Sequence, residues 1–435
     1  MKNKKLDVEK LVKKYLPKEE KFVAGKTYIP ASGKVFGIEE VSALVEASLD
    51  FTHTITEGAI TKDFESKFSK YLGVRCSSFC NSGSSANLLA FMALTSPKLG
   101  SKALQVGDEV ITSSVGFPTT VAPIIHFGCV PVYVDVSLST YNPTSRMIAE
   151  AITDKTRAIF LAHTLGNPLN MEEIMDIAVQ NNLWVISDIC DGLGGEFGGK
   201  MLGTFGDLST FSFYPAHQMT TGEGGMVSTN SPMLNSIVRS FRDWGRDCFC
   251  APGKDNTCGK RFSQKVHGKL PEGFDHKYIY SHVGYNLKNT DLQASIGLEQ
   301  LKKLPSFVDK RQHNWEYLSR GFLRHRLDNY FTLPSCYNYS RPSWFGFALT
   351  IRDNALFTRS ELVQYLETHK IGTRNIFAGN ITKQPGFMGK GRIADIIPKA
   401  DIVMERSFWI GVYPGITDEM NDYIVDTFVN FVSTR

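Results

Sequence analysis

Four groups of residues have types and spacings that could do chemistry. His217 lies in Phe211-Ser212-Phe213-Tyr214-Pro215-Ala216-His217-Gln218, and an imidazole exchanges a proton near neutral pH. Cys80-Asn81-Ser82-Gly83-Ser84-Ser85-Ala86-Asn87 comes just before a helical run. Small residues at a helix N-terminus free backbone N–H groups for an anion, and the helix dipole adds to this; the same segment also reads as a plain N-cap. Trp184-Val185-Ile186-Ser187-Asp188 is an apolar run ending in a carboxylate. At the C-terminal end of a parallel strand such a group is commonly functional, although it could equally cap the next turn. Cys248, Cys250 and Cys258 cluster in an otherwise polar stretch. Three thiols so placed point to a metal, with a fourth ligand from elsewhere. Four thiolates suit either tetrahedral zinc or an iron–sulfur cluster, and the paired C-x2-C knuckles of zinc ribbons are missing.

These groups need a scaffold, and the chain is long enough for two domains at 435 residues. Over residues 60–230, helical periodicity alternates with short apolar runs. Leu88–Leu94 reads as helix, and Glu109–Ile111, Val130–Val136, Ala158–Ala162 and Trp184–Ser187 read as buried strands. This is the α/β pattern of a mostly parallel sheet covered on both faces. Leu292–Val308 reads as a helix that bridges to a second domain, and residues 310–435 mix helices and strands before an amphipathic helix near Glu419–Val432. Residues 241–285 break the rhythm, and a loop of that length in a compact domain is commonly functional. Leu6, Leu11, Val12, Tyr15 and Leu16 fall at roughly helical spacing in the lysine-rich N-terminus. The expected division is an N-terminal helical segment 1–54 packing with the small domain, a large domain 55–300 that includes the loop, and a small α+β domain 301–435.

Composition removes several function classes. Hydrophobic content of 42% and charged content of 21% are ordinary for a globular protein. A net charge of +4 argues against a dedicated nucleic-acid binder but leaves room for an anionic substrate. No stretch has the apolar length of a membrane span, and the N-terminus lacks the apolar core of a secretory signal. Eight scattered cysteines do not form a secreted disulfide framework, so a cytoplasmic protein with reduced thiols is expected.

The segment from Phe211 to Gly225 resembles the active-site strand and loop of the sugar aminotransferase (DegT/DnrJ/EryC-type) family. These are pyridoxal phosphate (PLP) enzymes of the aspartate aminotransferase fold, fold type I. The resemblance runs over roughly residues 30–435 with its motifs in order, and it implies a large domain with a mostly parallel mixed sheet plus a smaller C-terminal domain. The family has a Schiff-base lysine where this chain has His217. Imidazole has no primary amine, so the covalent tether is lost while an acid–base group is kept. The resemblance also implies that Gly83, Ser84, Ser85 and Ser212 hold the cofactor phosphate, that Phe117 stacks on the ring and that Asp188 meets the pyridine nitrogen. Asn286 matches an asparagine supplied by the neighbouring subunit, which implies a homodimer. Ser187 and Asp191 stand where the family usually has glutamate and often has histidine, which places the chain in a subgroup.

Cys190, two residues after Asp188, would lie close to the cofactor. With the three loop cysteines it gives the spacing C-x57-C-x-C-x7-C. That spacing resembles the subgroup of 3-dehydrases acting on CDP-4-keto-6-deoxy-D-glucose, in which four cysteines hold a [2Fe–2S] cluster and a histidine replaces the lysine. The implied activity is removal of the C3 hydroxyl of a nucleotide-linked 4-keto-6-deoxyhexose in 3,6-dideoxyhexose (O-antigen) biosynthesis. The implied cofactor is non-covalent pyridoxamine 5′-phosphate (PMP). His217 would be the base, with electrons entering through Cys190, Cys248, Cys250 and Cys258 from an NADH-dependent flavin/iron–sulfur reductase. Arg374, Asn380, His163, Gly166 and Asn167 are candidates for sugar or nucleotide contacts. Three rivals remain: a cluster-independent 3-dehydratase of a GDP-4-ketosugar, a degenerate aminotransferase fold kept as a binding protein, and a lysine-less aminotransferase using PMP.

Overall fold

The computed structural model describes residues 2–16, 21–50, 55–250, 254–263 and 269–435, with only the backbone of residues 2–7. Twelve α-helices lie along them. In chain order these are α1 Lys2–Tyr15, α2 Ile38–Leu49, α3 Ala59–Leu72, α4 Gly83–Leu94, α5 Pro118–Phe127 and α6 Ser145–Glu150, then α7 Met171–Gln180, α8 Pro232–Arg242, α9 Asp291–Arg324, α10 Arg359–Thr368, α11 Pro398–Arg406 and α12 Asp418–Ser433. No helix among the described residues is long and apolar enough to cross a membrane.

The apolar runs do form one sheet. Its strands lie in the order Cys76–Cys80, Gly225–Thr229, Leu208–Ser212, Trp184–Asp188, Thr156–Ala162, Glu109–Ser113, Val130–Val134 and Arg392–Ile393. Only Gly225–Thr229 runs antiparallel to its neighbours; the remaining pairs are parallel. Successive side chains of a strand point to opposite faces, and the two faces have separate cores. Val185 joins Phe64, Phe68, Phe79, Phe211 and Phe213 on one face. Ile186 joins Leu89, Phe91, Phe160 and Phe241 on the other, beneath α4 and α8. The five phenylalanines of the first face meet edge-on or tilted at 5.1–6.0 Å, a favoured aromatic arrangement.

The C-terminal part has its own antiparallel sheet, Phe331–Thr332, Gly346–Ile351, Ser407–Gly411 and Thr373–Arg374. Phe322, Phe347, Leu349, Phe408 and Phe428 form its core. Ile29 belongs to that core and forms a bridge with Ile371, whereas α2 lies along α9. The N-terminal segment therefore touches both halves.

Two elements depart from expectation. The bridging helix expected to end at Val308 runs to Arg324, 34 residues in all. Its buried stripe continues through Leu304, Val308, Arg311, Asn314, Leu318 and Phe322 at helical spacing. The polar residues at two of these positions hid the pattern. In α1, Val12 is buried but Leu11 and Tyr15 are exposed, so the drawn apolar stripe is only partly used; the Leu6 side chain lies outside the described residues.

Candidate active site

The C-terminal ends of the central strands open into a cavity of about 570 Å³ between the two sheets. Its floor begins at α4. Ser82 caps this helix by accepting the Ser85 N–H on its Oγ, while the first helical N–H groups have no partner within the helix. Gly83 and Ser84 line the cavity together with Ser212, the last residue of its strand. A Cβ on Gly83 would lie 2.4 Å from Ser212 Cβ and 2.8 Å from its Oγ. Glycine is required here because helix and strand converge, and the result is a nest of small polar groups at a helix N-terminus. Ser85 does not line the cavity; its hydroxyl and N–H are both engaged by Ser82.

One turn along α4, Asn87 reaches Asp188. Asp188 Oδ2 accepts from Asn87 Nδ2 and Thr120 Oγ1, each at 2.8 Å, and Oδ1 accepts from the Cys190 N–H at 3.1 Å. Thr210 in turn donates to Asn87 Oδ1. The carboxylate is 4% exposed and is fixed from three sides with its open edge on the cavity. Phe117 stands half-exposed on the wall, its ring 6.1 Å from Phe377. Asn87 and Thr120 did not stand out in the sequence. The spacing of Asn87 to Gly83 was the available signal, since residues four apart share a helix face.

His217 also lines this cavity, with its side chain 14% exposed. Its Nδ1 is buried without a hydrogen-bond partner and lies 3.5 Å from Asp191 Oδ1. Phe345 packs against the ring at 5.1 Å. Burial, aided by the charge of Arg311, pushes the His217 pKa down to about 3. Burial and the neighbouring Asp188 raise Asp191 to about 8. Arg311 is fully buried and donates to the carbonyls of His217 at 3.0 Å and Trp344 at 3.1 Å. It ties the loop bearing His217 to the small domain, a role nothing in the sequence pointed to.

Arg374 lines the cavity as expected. The other four candidates, His163, Gly166, Asn167 and Asn380, do not. His163 is fully buried, accepts the Leu169 N–H on Nδ1, and has its pKa pushed down to about 3 by burial. Asn167 Nδ2 donates to the carbonyls of Thr140 and Ser335. Asn380 caps a short helix through Thr382 and donates to Asp401. The partners of all of these side chains lie outside the cavity lining. Gly166, whose φ is +79°, is packed against the Ser343 and Asp191 carbonyls. Asn286 is exposed, accepts from Lys288, and does not line the cavity of its own chain.

The cysteines fall into two places. Cys190 opens onto the cavity beside Gly83 and Asp188. Cys248 and Cys250 line the groove by Lys98, Arg239 and Asp247, and Cys258 follows further along the chain. Among the described residues no group of cysteines, histidines and carboxylates is assembled to hold a metal, so the expected four-cysteine set does not meet within one copy. Cys80 and Cys129 are buried and stand apart, with thiols pushed up to about 12 by burial.

The cavity fits a phosphorylated pyridine. It offers an anion nest at a helix N-terminus, a carboxylate held by Asn87 about 6 Å along that helix, and an aromatic wall. It has no lysine on its lining.

The chain is similar to known proteins. Residues 37–429 match the DegT/DnrJ/EryC1/StrS aminotransferase family. The chain is 52% identical over 411 residues to the lipopolysaccharide biosynthesis protein RfbH of Salmonella typhimurium, covering 94% of this chain and 93% of that one. It is 53% identical over 415 residues to a dTDP-4-dehydro-2,6-dideoxy-D-glucose 3-dehydratase of Saccharopolyspora spinosa, covering 95% and 88%. Among solved structures it superposes on the E. coli GDP-4-keto-6-deoxy-D-mannose-3-dehydratase with bound hydrated PLP. The TM-score is 0.82 at 29% identity, over 92% of this chain and 100% of that one.

Proposed function

Because the chain belongs to the DegT/DnrJ/EryC1/StrS aminotransferase family, we propose that it is a PMP-dependent enzyme that removes the C3 hydroxyl of a nucleotide-linked 4-keto-6-deoxyhexose. The observation that carries this reading is the presence of His217, a base without a primary amine, in the same cavity as the anion nest and Asp188. When bound, PMP supplies a primary amine for the 4-keto group and a ring that takes up electrons.

The residues divide the work. Gly83, Ser84 and Ser212 would hold the phosphate. Asp188, oriented by Asn87 and Thr120, would keep the ring nitrogen protonated, and Phe117 would cover the ring face. His217 has Nδ1 turned to Asp191, so Nε2 would be the atom that accepts a proton at the cofactor. At neutral pH its lowered pKa keeps the imidazole uncharged and able to accept. A lysine here would compete for the cofactor amine's place; the imidazole keeps the base and removes that nucleophile. Arg374, on the rim, faces the nucleotide-sugar.

The proposed sugar is CDP-4-keto-6-deoxy-D-glucose, on the resemblance to that subgroup alone. The cysteine spacing supports a [2Fe–2S] cluster fed by an NADH-dependent reductase. The described residues assemble no such metal group, and the proposed dehydration uses the PMP-site residues alone. The test is to incubate the protein with PMP and 4-keto-6-deoxyhexoses linked to CDP, dTDP or GDP, and to follow the sugar by mass. PMP-dependent loss of the C3 hydroxyl is expected, with CDP preferred. A glutamate-dependent amino sugar, or no turnover of any of the three, overturns the reading.

A further inference from the structure

The segment from Arg374 to Asn380 runs along the cavity from one lobe to the other. It leaves the small sheet at Thr373–Arg374. Its far end reaches the large sheet's side, where Asn380 forms a bridge with Val115 and the Ile381 N–H donates to the Ser114 carbonyl at 2.9 Å. Between these anchors Ile376 is 1% exposed, in a core that also holds Val115 and Trp409. The next residue, Phe377, lines the cavity instead.

The backbone of Phe377 is strained to do so. Its φ is +46°, and a bulky side chain in the left-handed region is a genuine outlier. Among the described residues that line the cavity, no other non-glycine has a positive φ. The turn is held on both sides: the Phe377 N–H donates to the Asn375 carbonyl and the Gly379 N–H to the Ile376 carbonyl, each at 2.9 Å. The Asn375 carbonyl also accepts from the Trp409 indole at 3.0 Å. Residues fixed in this way gather at ligand clamps.

The ring and its neighbour offer two different contacts. Phe377 is half-buried and meets Phe117 edge-on, at 6.1 Å and 88°. Such a contact covers at most one face of a ring, so a face of Phe377 is not taken by Phe117. Three residues earlier, Arg374 is exposed on the same cavity and donates to the Thr373 carbonyl at 2.7 Å. No carboxylate pairs with its guanidinium among the described residues. A guanidinium without a counter-charge suits phosphate oxygens, and a flat ring face suits a base. Together on one short segment they match the two ends of a nucleoside diphosphate.

We propose that Phe377 is the nucleobase platform of this cavity, with Arg374 on the diphosphate. The proposal rests on reading the chain as a nucleotide-sugar enzyme, and it adds the residue that grips the nucleoside end. Every base has a π-face, so stacking is sequence-tolerant. Phe377 therefore strengthens nucleotide binding without choosing between CDP, dTDP and GDP.

Isothermal titration of PMP-loaded protein with CDP, dTDP and GDP tests this. Loss of base–aromatic stacking corresponds to at least about fivefold in Kd. Phe377→Leu keeps an apolar side chain but no π-face, and Phe377→Gly keeps the left-handed turn with no side chain. Each should weaken, by that factor, whichever of the three nucleotides the wild type binds. Phe377→Tyr keeps the face and should stay within about twofold of the wild type. PMP affinity should hold in all three variants. Phe377→Leu binding as tightly as the wild type overturns the proposal. So does a fall in PMP affinity that matches the fall in nucleotide affinity, which would make the ring a support for Phe117. A wild type that binds PMP but none of the three nucleotides refutes the nucleotide-sugar reading itself, and the proposal with it.

Discussion

His217 Nδ1 faces Asp191 Oδ1 at 3.5 Å, and their surroundings move the two pKa values toward and past each other, down to about 3 and up to about 8. At neutral pH both groups are therefore uncharged. The imidazole arrives as a free base, and no negative charge beside it holds a proton on the ring. The kcat/KM of the elimination should therefore show no acid-side inflection at the ordinary histidine value of 6.5. A profile measured between about pH 5 and 7.5 that falls with a midpoint near 6.5 would count against a buried neutral base.

Removing the base should separate binding from chemistry. His217→Asn keeps the nest, Asp188 and the ring wall, so PMP affinity measured by equilibrium dialysis should change by less than about threefold. Proton transfer by a positioned side chain contributes roughly 10²–10⁴-fold, so elimination should drop by that factor. Undiminished elimination would remove His217 from its role.

Gly83→Ala tests the nest. The added methyl carbon meets Ser212 Cβ at 2.4 Å, and such overpacking costs about 1–3 kcal/mol. Helix and strand must separate, which spoils both phosphate contacts. PMP affinity should weaken at least tenfold, with the midpoint of thermal unfolding lowered. Unchanged PMP binding would place the phosphate elsewhere.

Acid should destabilise the fold through histidines held neutral. Burial lowers His163 from 6.5 to about 3 and, with the charge of Lys98, His282 to about 4. Between those values and 6.5 the unfolded chain binds protons that the folded chain refuses. This stabilisation is complete above about 6.5 and is lost as pH falls toward the folded values. Asp191 has the opposite sign: its proton, bound in the folded state, stabilises at low pH and is lost as pH rises through about 8. A single fully linked group contributes at most about 1.4 kcal/mol per pH unit. Chemical denaturation should show a shallower loss of stability between about pH 6.5 and 4.5 in His163→Asn than in the wild type. Parallel curves would refute the linkage.

The thiols should differ sharply in reactivity. Hydrogen bonds from Thr257 and the neighbouring cysteines lower Cys250 to about 7, while burial holds Cys80 and Cys129 at about 12. Thiolate is the reactive form, so brief iodoacetamide treatment of iron-free protein at neutral pH should label Cys250 first, as read by peptide mass mapping. Early labelling of Cys129 would contradict this ranking.

The parts of the site that were legible in the sequence are contiguous. The nest is one turn, Asp188 ends one apolar run, and His217 sits in a motif whose neighbours fix its place. Asn87 was within reach, one helical turn from Gly83. Arg311 was not, because it lies far along the chain from His217 and a buried arginine on a helix looks like a solvated one until its carbonyl partners are known. His163, Asn167 and Asn380 do not reach the cavity for the complementary reason: a polar residue in a loop can serve a ligand or the protein, and here His163 and Asn167 serve backbone groups while Asn380 caps a helix and binds Asp401. The cysteine spacing named four residues but not whether their thiols meet.

The helix α9 has a mechanical consequence. It is about 51 Å long at 1.5 Å per residue, and it contributes Ala294, Leu304 and Val308 to one core and Leu318 and Phe322 to the other. Neither half can melt without stripping a wall from its neighbour. The two lobes are thus welded along a shared beam, and heating should produce a single calorimetric transition in place of two. A chain cut midway along that beam would leave two fragments, each with an open seam and neither able to fold alone.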